Sequence, residues 1–135
     1  MNRAEKEIFL RGYEELYDLV EEKENDIAEY RSKIENAKVQ KISGMPFGGK
    51  TSGLEDIMAK LEVLEKEWSK AESKRLGRYE DIAEAIAELE DETERVVITM
   101  RYLEFETWPE IARMINKSTR HTHRIYANAV RNMRL

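Results

Sequence analysis

Arg120, Arg124 and Arg131 stand near the C-terminus of this 135-residue chain, with Arg134 beside them. On a helix, positions 120, 124, 127 and 131 (i, i+4, i+7, i+11) share one face. The opposite face carries Thr122, Ile125, Tyr126, Ala129 and Met133, residues fit to pack against other helices. A row of guanidiniums backed by an apolar face suits a polyanion. Arginine forms paired bonds to guanine O6 and N7 in the DNA major groove, and Lys or Arg elsewhere can neutralise phosphates. Charge is also segregated. Thr107–Leu135 holds six Lys/Arg against one acid, a net of +5, so the other 106 residues carry −10 of the chain's net −5. Duplex DNA would be repelled by most of the chain and drawn to one end.

Other chemistry is poorly supported. His121 and His123 are two apart, which puts them on different sides of a helix and makes a poor metal pair. Cysteine is absent, so there is neither a thiol nucleophile nor a disulfide framework. The acids are spread along charged helices, where solvation is their ordinary role. GMPFGGKT, residues 44–51, satisfies GxxxxGKT, but a P-loop needs a preceding buried strand and a supporting sheet. Long charged helices flank it instead. We therefore expect no enzyme activity, no cofactor and no metal.

The arginine row must be positioned by its neighbours, and these read as a helix-turn-helix. Thr107 can cap a helix with Glu110 returning the bond, and Pro109 fits the first turn. Ile111, Ala112 and Ile115 form its apolar face. Asn116-Lys117 can make the turn, Asn tolerating left-handed backbone angles, and Ser118 can cap a last helix over 118–135. Residues at the start of a recognition helix reach base edges, which nominates Thr119, Arg120, His123 and Arg124. Lys117, Ser118, Arg131 and Arg134 are placed to hold phosphates, and His121 to do either. Upstream, Glu94–Tyr102 has an apolar stripe too wide for a coiled coil, so that helix should be buried on more than one side.

The remainder is heptad-patterned. Tyr13, Val20, Ile27 and Ile34 form one seam, and Phe9, Leu16, Tyr30 and Ala37 a second that Lys23 breaks. Leu54, Leu61, Trp68, Ile82 and Leu89, with Ile57, Leu64, Ala71 and Ala85, continue the pattern. Arg75 and Arg78 interrupt it, and Gly77 adds a weak point where a kink or fraying is expected. Glycine and Pro46 concentrate in 41–53, a loop. The expected fold is all-α: a long antiparallel helical hairpin over 1–90 (helices about 3–40 and 54–90), then a helix-turn-helix domain over 91–135. Two narrow stripes cannot build a thick core, so a second copy should pair through the hairpin. With 38% charged residues, no apolar run of about 20 residues and no apolar signal-peptide core, a cytoplasmic chain outside the membrane is expected.

RYLEFETWPEIARMINKS and HRIYANAVRNMR resemble DNA-binding region 4 of bacterial sigma factors over about Glu94–Arg134. With a long acidic helix, a loop containing Ser43-Gly44-Met45-Pro46 and a second long helix in front, nearly the whole chain resembles the RinA/ArpU-type regulators of late genes in phages of Gram-positive bacteria. The resemblance implies binding to double-stranded DNA at a promoter and control of transcription in a bacterial host cell, with RNA polymerase a further candidate partner. Glu106 departs from the pattern, standing in a loop where that family tends to a small or basic residue. Thr119 and Arg120 depart too, and imply a different base sequence. The alternative is a phage DNA-packaging or assembly protein of the small-terminase kind, which would use the hairpin to oligomerise.

Overall fold

The structure is a computed structural model that describes residues 1–42 and 51–135, and it is all-α, with no strand among the described residues. The run Ser43–Lys50, and with it most of the GxxxxGKT match, lies outside them. Two long helices come first, α1 (Arg3–Ile42) and α2 (Thr51–Ala87). Asn2 opens α1 by accepting the Glu5 amide at 2.9 Å through its side chain. α1 runs two residues further than the heptads indicate, and α2 starts three residues before Leu54.

α2 ends at Ala87 rather than near 90. Leu89 leaves the helix through a tight turn, its amide bonded to the Ile86 carbonyl at 3.0 Å. Its side chain is 3% exposed, so burial of this one leucine sets the exit. Asp91 then caps α3 (Glu92–Ile98) by accepting the Glu94 amide at 3.0 Å. α3 runs on into a π-helical turn, Thr99–Leu103. There the bonds lengthen by one residue, Glu104 N–H reaching the Thr99 carbonyl at 3.0 Å. The expected wide burial of this stretch is found: Val97, Ile98, Met100 and Tyr102 are all buried. α4 (Trp108–Met114) and α5 (Thr119–Asn132) complete the chain.

Contacts group the described residues into two compact units, Met1–Tyr17 with Lys74–Leu135, and Asp18–Ser73. In the middle unit, Asp18–Ser73, the α1 and α2 segments run antiparallel. Val20, Ile27, Ile34 and Ala37 are buried, as is Ala71, while Leu54, Ile57, Leu61, Leu64 and Trp68 are half-buried. Lys23, the break in the seam, bonds Glu67 at 2.8 Å, and the Trp68 indole donates to Glu24 at 3.1 Å. A narrow seam flanked by ion pairs is what the heptads demand.

The terminal unit holds a thicker core. Leu10 and Tyr13 of α1, Ile82, Ala85 and Ile86 of α2, and Leu89 join Val97, Ile98, Met100, Tyr102, Ile111, Tyr126, Ala129, Val130 and Met133. No fraying interrupts α2 at 75–78, which is helical throughout. Arg75 donates to the Tyr13 hydroxyl at 3.1 Å, and Arg78 donates to the Phe9 carbonyl at 2.7 Å while lying 4.1 Å over the Phe9 ring. Both guanidiniums therefore pack into the hairpin. Gly12 makes the room: a Cβ there would collide with the Arg78 guanidinium.

Candidate nucleic-acid interface

The helix-turn-helix forms from the caps that the residues encode. Thr107 is extended and accepts the Glu110 amide at 3.4 Å, with Pro109 in the first turn of α4. Glu110 does not return a bond to the cap; its carboxylate takes the Arg113 guanidinium at 2.9 Å. The pair raises the Arg113 pKa, first through that hydrogen bond and then through its charge. Asn116 takes the left-handed turn position at φ 57°. Ser118 caps α5, accepting the His121 amide at 3.1 Å.

Beneath α5, Thr122, Tyr126, Ala129 and Val130 are buried. The Thr122 hydroxyl is satisfied by the Ser118 carbonyl at 2.8 Å. α5 stops at Asn132 because Met133 turns to extended backbone and buries its side chain, 2% exposed. The last helix thus covers 119–132, not 118–135.

The outer face is open. Lys117, Ser118, Thr119, Arg120, His121, His123, Arg124 and Arg131 are all exposed. Lys117, Arg120, Arg124 and Arg131 make no ion pair and no side-chain hydrogen bond among the described residues. At about 100° per residue, Arg120, Arg124 and Arg131 fall within roughly 40° of one another. His121 and His123 lie on opposite flanks of this stripe. His123 is not free: its ring centroid is 4.6 Å from that of Trp108. Trp108 also takes the Tyr126 ring edge-on at 4.9 Å and the Arg101 guanidinium at 4.8 Å. This cluster joins α4, α5 and the π-helical turn, and it makes His123 a packing residue at the rim of the face.

Arg134 is set apart from the stripe. Beyond the end of α5, it lines one cleft with Asp81, Glu84 and Glu88 and another with Glu90, Asp91 and Glu94. A phosphate approaching it would meet these carboxylates. Arg113 is paired with Glu110 and Arg134 lies beyond the end of α5, so the unpaired basic side chains in the turn and on α5 are Lys117, Arg120, Arg124 and Arg131.

What sequence reasoning missed is the support behind α5, which comes from the start of α1. The Lys6 ammonium donates to the carbonyls of Val130, Arg131 and Met133 at 3.0, 3.1 and 2.7 Å. It thereby caps the C-terminal end of α5, where the helix dipole favours a cation. The Tyr126 and Tyr102 hydroxyls are 2.6 Å apart, and Tyr126 donates to Glu7 at 3.1 Å. Glu7 in turn holds Arg3 at 2.9 Å. Burial, then the hydrogen bond to Tyr102 and the nearby carboxylate of Glu7, push the Tyr126 phenol well above its ordinary pKa. No spacing signal links residues 6 and 7 to 126–133.

No helix among the described residues is long and apolar enough to cross a membrane. A family model described as "Protein of unknown function (DUF722)" matches residues 13–135. No curated protein and no solved structure matches the chain.

Proposed function

The chain belongs to the DUF722 family, and on the geometry of α5 we propose that it is a sequence-specific regulator of transcription that binds double-stranded DNA through the major groove. One observation carries this reading: Arg120, Arg124 and Arg131 are exposed and unpaired on a helix whose opposite face is core, with Lys117 exposed and unpaired in the turn that leads into it. Unpaired guanidiniums break no ion pair when they turn onto phosphates and base edges, so their binding cost is limited to ordering and desolvation. A helix entered through a short turn and capped by Ser118 can present its first residues to a groove about 12 Å wide. Arg120, Arg124 and Thr119 then read bases, and Lys117, Ser118 and Arg131 hold phosphates, with His121 at the flank. The likeness to RinA/ArpU-type phage regulators fits this reading, with a bacterial cytoplasm and a promoter as its setting. We further propose that the hairpin pairs with a second copy of the chain. Its half-buried leucines, and Met58 and Val63 at 50% and 55% exposure, support that pairing.

The test is fluorescence-anisotropy titration of the full chain with duplex DNA over a range of salt. Four cations limit the log–log slope to about −0.9 per phosphate contacted, hence roughly −1.8 to −3.6 per chain. Arg120→Ala and Arg124→Ala should each cost about 1–3 kcal/mol in specific binding. Arg113→Ala, which removes a cation already held by Glu110, should cost far less. Salt-independent binding, or equal losses in all three variants, would refute the proposal.

A further inference from the structure

We propose that Asn128 is a further base-reading residue, specifying an adenine in line with the guanines taken by Arg120 and Arg124. The inference rests on the reading that α5 enters the major groove, and it goes beyond the arginines by naming a second kind of base contact. Asn128 lies at i+8 from Arg120 and i+4 from Arg124, so the three side chains form one ridge along the outer face. It is exposed and its amide makes no hydrogen bond among the described residues. Asn132, one turn further on, differs: both oxygens of the Glu94 carboxylate accept from it at 3.3 Å. The amide of Asn128 therefore has a donor and an acceptor free on the face that Arg120 and Arg124 share. That pair of groups matches N7 and N6–H of adenine, just as a guanidinium matches O6 and N7 of guanine.

The spacing makes the idea specific. Four residues advance a helix by about 6 Å, and a duplex rises about 3.4 Å per base pair. Successive ridge residues thus reach bases about two pairs apart. The expected element is two guanines and one adenine at intervals of about two base pairs, the adenine at the end reached by the later turns of α5. Arg131 sits beside Asn128 on the same face and supplies the phosphate contact that holds this end in register.

The experiment is selection of bound duplexes from a random pool by the full chain, run for wild type, Arg124→Ala, Asn128→Ala and Asn128→Asp. Wild type should enrich an adenine about two base pairs from a guanine. Asn128→Ala should lose preference at the adenine alone, by roughly 5- to 150-fold in discrimination. Arg124→Ala should lose the neighbouring guanine instead. Asn128→Asp keeps the size but leaves only acceptors, and should move the preference from adenine towards cytosine, whose N4–H donates. Unchanged thermal melts of these exposed-site variants establish that folding is intact. A wild-type motif that both Asn128 variants reproduce unaltered overturns the assignment while leaving the DNA reading in place. Failure of wild type to enrich any motif overturns both.

Discussion

Leu10→Ala should destabilise the terminal unit by about 3 kcal/mol, although Leu10 is more than 80 positions away from the helix-turn-helix in sequence. Its side chain is 0% exposed and belongs to the cluster that includes Val97, Ile111, Tyr126 and Val130. Truncating a fully buried leucine removes its transfer free energy and leaves a cavity, together about 2.7–5 kcal/mol. Leu19 lies on the same helix at 39% exposure, and Leu19→Ala should cost no more than about 0.5 kcal/mol. The assay is urea unfolding followed by tryptophan fluorescence in a Trp68→Phe background, so that Trp108 reports the terminal unit alone. With a slope of about 2 kcal/mol/M, the Leu10 variant should lose about 1.5 M in midpoint. A midpoint within 0.3 M (roughly 0.6 kcal/mol on the same slope) of the Leu19 variant would refute the reasoning. It would mean that residues 91–135 hold themselves together and that α1 contributes nothing to their core.

Two further outcomes follow from the polar contacts of α1. Lys6→Ala removes a donor shared by three carbonyls and should cost about 1–2 kcal/mol, read as a lower melting temperature by calorimetry. Tyr126→Phe should lower stability at neutral pH by about 1–3 kcal/mol, because it strips the hydroxyl between Tyr102 and Glu7. It should also change the alkaline limb. The folded phenol keeps its proton to higher pH than the unfolded one, so its contribution is complete below about pH 10 and is lost as pH rises beyond that. Melts from pH 9 to 11.5 should fall less steeply for Tyr126→Phe than for wild type; parallel curves would contradict the network.

Much of the architecture was legible because it depends on local rules. The seam Tyr13, Val20, Ile27 and Ile34 is buried at every position, since heptad spacing alone decides which residues share a face. The caps Thr107 and Ser118 and the left-handed Asn116 follow from side-chain chemistry within three residues. What was not legible depends on which element covers which. Periodicity marks Leu10 as apolar but is silent on a partner more than 80 residues away. Arg75 and Arg78 read as faults in the seam, because a sequence cannot show that Gly12 leaves room for a guanidinium to reach the Phe9 carbonyl. Nor could it show the π-helical turn, or Phe105 held at φ 59° with its ring 5.8 Å from Tyr13 and 5.1 Å from Tyr17. At the site, the number of basic residues follows from the sequence, whereas their partners do not. Arg113 is held by the Glu110 carboxylate at 2.9 Å, a pairing that composition alone does not show.

The contacts behind α5 separate two ways in which the proposed DNA binding could be lost. Lys6 holds the C-terminal carbonyls of α5, and Tyr126 ties its middle to Glu7, so α5 is fixed from the side that faces away from Arg120 and Arg124. Removing the first turns of α1 would deprive α5 of that support, and binding would fall although no DNA contact had been deleted. Charge and support separate in the salt dependence. A lost phosphate contact reduces the log–log slope by about 1, whereas a loosened helix lowers affinity at all salt concentrations and leaves the slope alone. Lys6→Ala should therefore shift the titration without changing its slope, and Lys117→Ala should change the slope without shifting the melting temperature. If Lys6→Ala reduced the slope instead, the start of α1 would itself be touching phosphate, and its place beneath α5 would need to be redrawn.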